Sequence, residues 1–440
     1  MKIEFQRKPH WSAGSYVDLV LAAVSMQILF FVLAAWIATS GEDFYLDNLR
    51  DAQYVMRIQL GLGWLMCILA GIGFSILPLI YDVEGFERTL MRIYVGMNVS
   101  GQLSITGGLL SENDSLFYSL STIGITLLCV SLVCLGPPSM TIFRNKPEKG
   151  SKVGPFSYAL GAFLPALGII TLSCWILREE LPNILKFSEA IVFGLFFSLA
   201  LVAIIISHIN RRLDWEIIKP ENTGKVFAVY SLLLLLSIAA KPLQDGGDIS
   251  LRLSAVLQLI PYLFIFVMLN PVKIIKNIRA KKPFKTMVVT SVFWLPVVGI
   301  AAYLETMKHV ETSEEMMSYY SLILIFGVAF QVLWGFTAYL HQDHKKKSIH
   351  SRKTHWYAYS SINIGVLIVV YAMFSSWQTG KSLDSLPDIA IVIIAVSYIS
   401  ILVYWMKEIF FCLYTWHKIP MFYDQYLANP ERGSGFFEEN

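Results

Sequence analysis

The residues of this chain that could do chemistry are few, and most of them sit inside apolar runs. Asn98, Gln102 and Thr106 recur every four residues, a spacing that lines one face of a helix. Two amides and a hydroxyl on one face can form part of a ligand or proton path. They can also tie helices together, each bond contributing about 1 kcal/mol, and that is their more ordinary use. Glu408 follows Lys407 deep in the last apolar run. It is a candidate for a proton-linked role, with snorkelling of Lys407 to the interface as the plainer account of that pair. Gln27, Gln258, Gln331 and Asn363 are single amides in apolar surroundings and are expected to fix helix contacts.

Metal chemistry would need histidine or cysteine. The eight histidines, at 10, 208, 309, 341, 344, 350, 355 and 417, fall in tails, in connectors or at helix ends, none at the middle of an apolar run. His341 and His344 flank Asp343 at a spacing that can chelate a metal on a helix. Lys345, Lys346 and Lys347 adjoin them and repel cations, so a solvated turn is the plainer reading. The five cysteines, at 67, 129, 134, 174 and 412, make no CxxC pair. They read as small buried hydrophobes. No catalytic residue, metal site or cofactor site is expected from these residue types alone.

The elements that must position these side chains follow from composition. Of 440 residues, 55% are hydrophobic and 15% are charged. Soluble proteins carry roughly 25% charged residues, so a soluble globular enzyme is close to excluded. The net charge is +3, and no basic block is interleaved with aromatics, so nucleic acid is not an expected partner. The lipid bilayer is the expected partner, with other membrane subunits as further candidates.

A spanning helix needs about 20 apolar residues. Twelve such runs lie near 17–39, 58–81, 92–111, 116–136, 156–177, 188–208, 226–241, 251–270, 286–305, 317–340, 357–376 and 388–412. Connectors after even-numbered runs are basic, as in Arg144, Lys146, Lys149 and Lys152, or Lys273, Lys276, Arg279, Lys281, Lys282 and Lys285. Connectors after odd-numbered runs are acidic, as in Glu42, Asp43, Asp47 and Asp51, or Glu179 and Glu180. The positive-inside rule then places both termini in the cytoplasm of a chain in the plasma (inner) membrane. The expected fold is an all-α polytopic membrane protein. A cytoplasmic N-terminus covers 1–16, the twelve-helix membrane domain 17–417 and a cytoplasmic tail 418–440. Trp64, Trp175, Trp294, Trp334, Trp377 and Trp405 lie toward run ends and are expected to form interfacial belts.

Runs one, five and nine start 130 to 140 residues apart. In each group of four, the second run ends in a charged turn: YDVEGFER from Tyr81, HINRRLDWE from His208, HQDHKKK from His341. This period divides the domain into pseudo-repeats 17–145, 156–282 and 286–417, three four-helix arcs about a pseudo-threefold axis.

That architecture is similar to the main subunit of heme–copper oxidases and nitric oxide reductases. Two stretches carry the resemblance. The second run reads from Arg57 through Trp64 to Gly71, Phe74 and Pro78, resembling the family's second helix after its heme-ligating histidine. The tenth reads Tyr319-Tyr320-Ser321, then Gly327, Phe330, Gly335 and Phe336, resembling the helix after the family's histidine–X–histidine pair. Carried over position by position, the resemblance puts Arg57, Tyr319 and Ser321 where the family has heme ligands. Copper-binding histidines are likewise missing from runs six and seven. The resemblance therefore implies a scaffold with its heme and copper ligands replaced: a non-catalytic accessory, sensory or binding subunit and not an enzyme. Two alternatives stand beside it. One is a secondary transporter of a small solute. Asp82, Gly85 and Arg88 resemble in spacing the Asp–Gly–basic loop of major facilitator transporters, although residues 273–285 hold no matching acid. The other is a respiratory oxidoreductase with atypical heme ligation.

Overall fold

The computed structural model describes residues 49–71, 88–144, 154–212, 218, 220–241, 243, 247–277, 283–307, 318–335 and 352–379, without Glu112, Pro182 and Pro242 and with positions 247–250 joined directly to the helix that follows; positions 22, 26, 29, 389, 390, 393 and 394 are described singly. Among them, all regular structure is helical. The first and twelfth apolar runs lie mostly outside the described residues. Both tails lie wholly outside them, as do Glu408, Lys407, Gln27, Trp405, Asp82, Gly85, His341 and His344.

Apolar composition forces this outcome. In hydrocarbon no water can satisfy backbone N–H and C=O groups, so each crossing must satisfy its own as a helix. The helices are α1 (49–71), α2 (Arg88–Leu109), α3 (Asp114–Arg144), α4 (Gly154–Ile176), α5 (184–212), α6 (Pro220–Ala239), α7 (Asp248–Met268), α8 (Pro271–Asn277), α9 (Pro283–Thr306), α10 (Tyr319–Gly335) and α11 (Arg352–Thr379). Seven helices among the described residues are long and apolar enough to cross a membrane. The boundaries correct the sequence reading at two places that matter. The run expected from 58 is helical from Leu49, which puts Arg57 two turns inside a helix. The run expected over 226–241 is α6, which ends at Ala239 and leaves Lys241 outside it. Pro261 and Pro296 lie inside α7 and α9, and both helices continue through them.

Among the described residues, three helices depart from regular α geometry. Residues Gln59–Leu65 of α1, Ala190–Phe197 of α5 and Ile323–Ala329 of α10 are π-helical. Such segments are uncommon and are frequently found at functional sites. All three are buried along nearly their whole length. Each packs against the helix that follows it in sequence: α1 against α2, α5 against α6, α10 against α11. The first two also touch one another.

Small residues set the closest helix contacts. A Cβ built at Gly124 of α3 would lie 2.5 Å from Ile105 and 2.7 Å from the Gly101 carbonyl of α2. One at Gly168 of α4 would lie 2.7 Å from the Cys129 carbonyl of α3. Backbone meets backbone at both places, the approach that small residues permit between membrane helices. The expected tryptophan belt is only partly found. Trp64, Trp175, Trp294 and Trp334 are buried in the bundle, while Trp377 is exposed. Their indoles fill interhelical space instead of meeting headgroups. Cys67, Cys129 and Cys174 are buried free thiols, as expected of small hydrophobes, and Cys134 is a half-buried free thiol.

Candidate functional site

The polar face expected on α2 is formed. Asn98, Gln102 and Thr106 are all buried and point at α1. The Asn98 amide donates to the Leu62 carbonyl inside the first π segment (3.0 Å) and accepts from Gln102 Nε2 (2.6 Å). Thr106 Oγ1 donates to the Gln102 carbonyl (2.8 Å). Gln59, at the start of the π segment, donates to Thr106 Oγ1 (2.8 Å) and to the Gln102 carbonyl (3.2 Å). The sequence reading missed Gln59 because its span was drawn from residue 58, where a lone amide looks like an end residue. Gln59 Oε1 and Gln102 Oε1 remain buried without a donor, so this cluster has acceptor capacity left for a water or a ligand.

The Asn98 bonds separate the two roles open to this face. Asn98→Leu should lower apparent stability by about 1–3 kcal/mol, because it strips a buried carbonyl and a buried amide of their partner. The thermal midpoint of detergent-purified protein measures it. An unchanged midpoint would mean that the amide serves a ligand and not the α1–α2 contact.

The second group of polar residues lies around the first turns of α1, α5 and α10. Arg57 Nη1 donates to Glu189 Oε2 at 2.8 Å, joining α1 to α5. The Arg57 and Glu189 side chains keep 16% and 19% exposure. One turn earlier, Tyr54 and Ser188 bridge the same two helices (2.9 Å). At α10, Ser318 caps the helix by accepting from the Ser321 N–H, and its hydroxyl pairs with Ser321 Oγ (2.8 Å). Glu305, at the end of α9, accepts from the Tyr320 N–H (2.9 Å). A carboxylate is favourable there, since the first N–H groups of a helix have no internal partner. Lys241, two residues past α6 and outside the membrane-spanning part of that helix, is close enough to feel both Glu189 and Glu305. Burial pulls its ammonium below the ordinary lysine value, and the two carboxylates oppose that shift.

Behind this group runs a chain of hydroxyls. Tyr320 and Tyr262 share a 2.6 Å bond, Tyr262 lies 3.4 Å from Ser198 Oγ, and Ser198 donates to the Phe193 carbonyl in the second π segment (3.0 Å). It links α10, α7 and α5. No motif announces it, because the three residues are scattered over 122 positions.

The positions matched to family ligands are thus engaged otherwise. Arg57 is in an ion pair, and a guanidinium has no lone pair to offer. Ser321 belongs to a helix cap. Tyr319 is buried at the first turn of α10. Trp64 of α1 meets Phe330 of α10 at 5.5 Å between ring centroids, and a Cβ at Gly61 would come within 2.8 Å of Phe193 of α5. Arg57 and Ser321, so engaged, do not offer a heme the axial nitrogen that a histidine would. Among the described residues, no group of three or more His, Cys, Asp or Glu could hold a metal ion.

No family model matches the chain. Nor does any curated protein.

Proposed function

We propose that this chain is a twelve-helix membrane protein of heme–copper-oxidase-like architecture in which ion pairing replaces metal ligation, and that it acts as a non-catalytic accessory, sensory or binding subunit. The observation that carries this reading is the recurrence of the π segments. They begin at residues 59, 190 and 323, so successive starts are 131 and 133 residues apart. Each falls in the second helix of an expected four-helix unit and packs on the third. That recurrence supports three related arcs, with the second helix of each nearest the centre. The Arg57–Glu189 pair and the Trp64–Phe330 contact agree with this reading, because both join second helices of different expected units.

The transporter reading has less behind it. Discontinuous helices with their ends at the midplane would favour it, and α7 and α9 run unbroken through their prolines.

A reduced-minus-oxidised absorption spectrum, taken with metal analysis on the same purified sample, tests the proposal. The expected outcome is no Soret band and no stoichiometric iron or copper. Stoichiometric heme would overturn it in favour of an oxidoreductase with atypical ligands.

A further inference from the structure

The segment leaving α7 is helical and exposes both basic and apolar residues. Asn270 adopts φ 49°, a left-handed conformation that asparagine tolerates better than most residues, and it turns the chain out of α7. Its side chain accepts from the Lys273 N–H (3.2 Å), which starts α8 at Pro271. Proline suits that first position because its missing N–H would have no helical partner. Ile274 is fully buried and fastens α8 to the bundle, which it joins through α9. Val272 and Ile275 are left 60% and 57% exposed, and Val267 at the end of α7 is 65% exposed. Exposed apolar residues thus occur both at the end of α7 and on the short helix that starts three residues later. Lys273 is exposed on the same short helix, and from 268 to 286 the sequence holds Lys273, Lys276, Arg279, Lys281, Lys282 and Lys285 and no acid.

We propose that α8 forms a docking site for an anionic phospholipid. Val272 and Ile275 enter the acyl boundary, and Lys273 meets the phosphate, with Lys276 one turn further along the same helix adding to the positive charge. Two observations favour a lipid over an acidic protein. The exposed Val272 and Ile275 follow directly on α7, a helix long and apolar enough to cross a membrane, and the exposed Lys273 is next to Val272 in the same turn. Basic residues clustered just outside a membrane helix attract anionic headgroups, each by a factor of about five.

The test uses the full chain in nanodiscs of phosphatidylcholine with or without phosphatidylglycerol. Phosphatidylglycerol retained by the protein is counted by native mass spectrometry, and its affinity is read by titration. Preferential retention of phosphatidylglycerol is expected, weakened by high salt. The double variant K273Q/K276Q should lose roughly thirty-fold in affinity, and K273R/K276R should keep it. The variant K149Q/K152Q, in another basic connector, should also keep it. Equal retention of the two lipids would overturn the proposal. A preference untouched by K273Q/K276Q would overturn it too, as would an equal loss in K149Q/K152Q, which would mean diffuse positive charge and no site.

Discussion

Arg57→Leu should cost about 3 kcal/mol of stability, among the largest single-residue effects in this protein. The substitution leaves Glu189 at a helix contact with its 2.8 Å partner gone. Removing one member of a buried ion pair costs about 3–5 kcal/mol, because an uncompensated charge remains. The low end applies, since both side chains keep some exposure and solvent screens them in part. Glu189→Leu should cost a similar amount. The double variant R57L/E189L should be far less destabilised than the sum, since replacing both charges with apolar groups is often close to neutral. Denaturation of the four proteins in mixed micelles gives the coupling directly. If R57L unfolds like the parent, the pair is screened and does not lock α1 to α5.

The other large effect is steric. Gly124→Ala places a methyl 2.7 Å from the Gly101 carbonyl, and that neighbour is backbone and cannot rotate away. Overpacking of this kind costs about 1–3 kcal/mol. Gly168→Ala, against the Cys129 carbonyl, should behave alike, since α3 is held between α2 and α4. Gly96 supplies the opposite case. Nothing lies within 4 Å of a Cβ there, and the residue is inside α2. Gly96→Ala should stabilise by up to about 1 kcal/mol through helix propensity. Thermal midpoints that move in opposite directions for G124A and G96A are the expected result. Movement in the same direction would remove the close α2–α3 contact as their explanation.

How far the sequence disclosed this arrangement depended on the range of each interaction. The polar face of α2 was legible because its residues are local: a four-residue spacing is a helix face whatever surrounds it. Gln258, Gln331 and Asn363 are legible as helix-contact amides because each is a lone polar group in an apolar run. Gln258 donates to the Ser237 carbonyl of α6, and Asn363 accepts from Gln331 and Trp294. The Arg57–Glu189 pair was missed because its members are 132 residues apart and Arg57 was placed at a span boundary. A signal was nonetheless present. The acidic and basic connectors put the start of the second and sixth crossings and the end of the ninth on one side of the membrane. Arg57, Glu189 and Glu305 therefore share a depth, where opposite charges must find each other. The π segments had no such signal. No residue type encodes them, and they emerge only when neighbouring helices have chosen which faces to bury.

Those segments also carry a constraint on how the chain can change. A π turn holds about one residue more than the α turn it replaces, so every side chain beyond it is rotated by about 100° around the helix axis. In α1, α5 and α10 that rotation is applied over Gln59–Leu65, Ala190–Phe197 and Ile323–Ala329. The buried face of each of these helices is therefore set in part by its own π segment. A single-residue deletion within one segment would turn the second half of that helix alone, carrying its buried face away from neighbours that had not moved. The three helices can drift in composition independently, but not in phase.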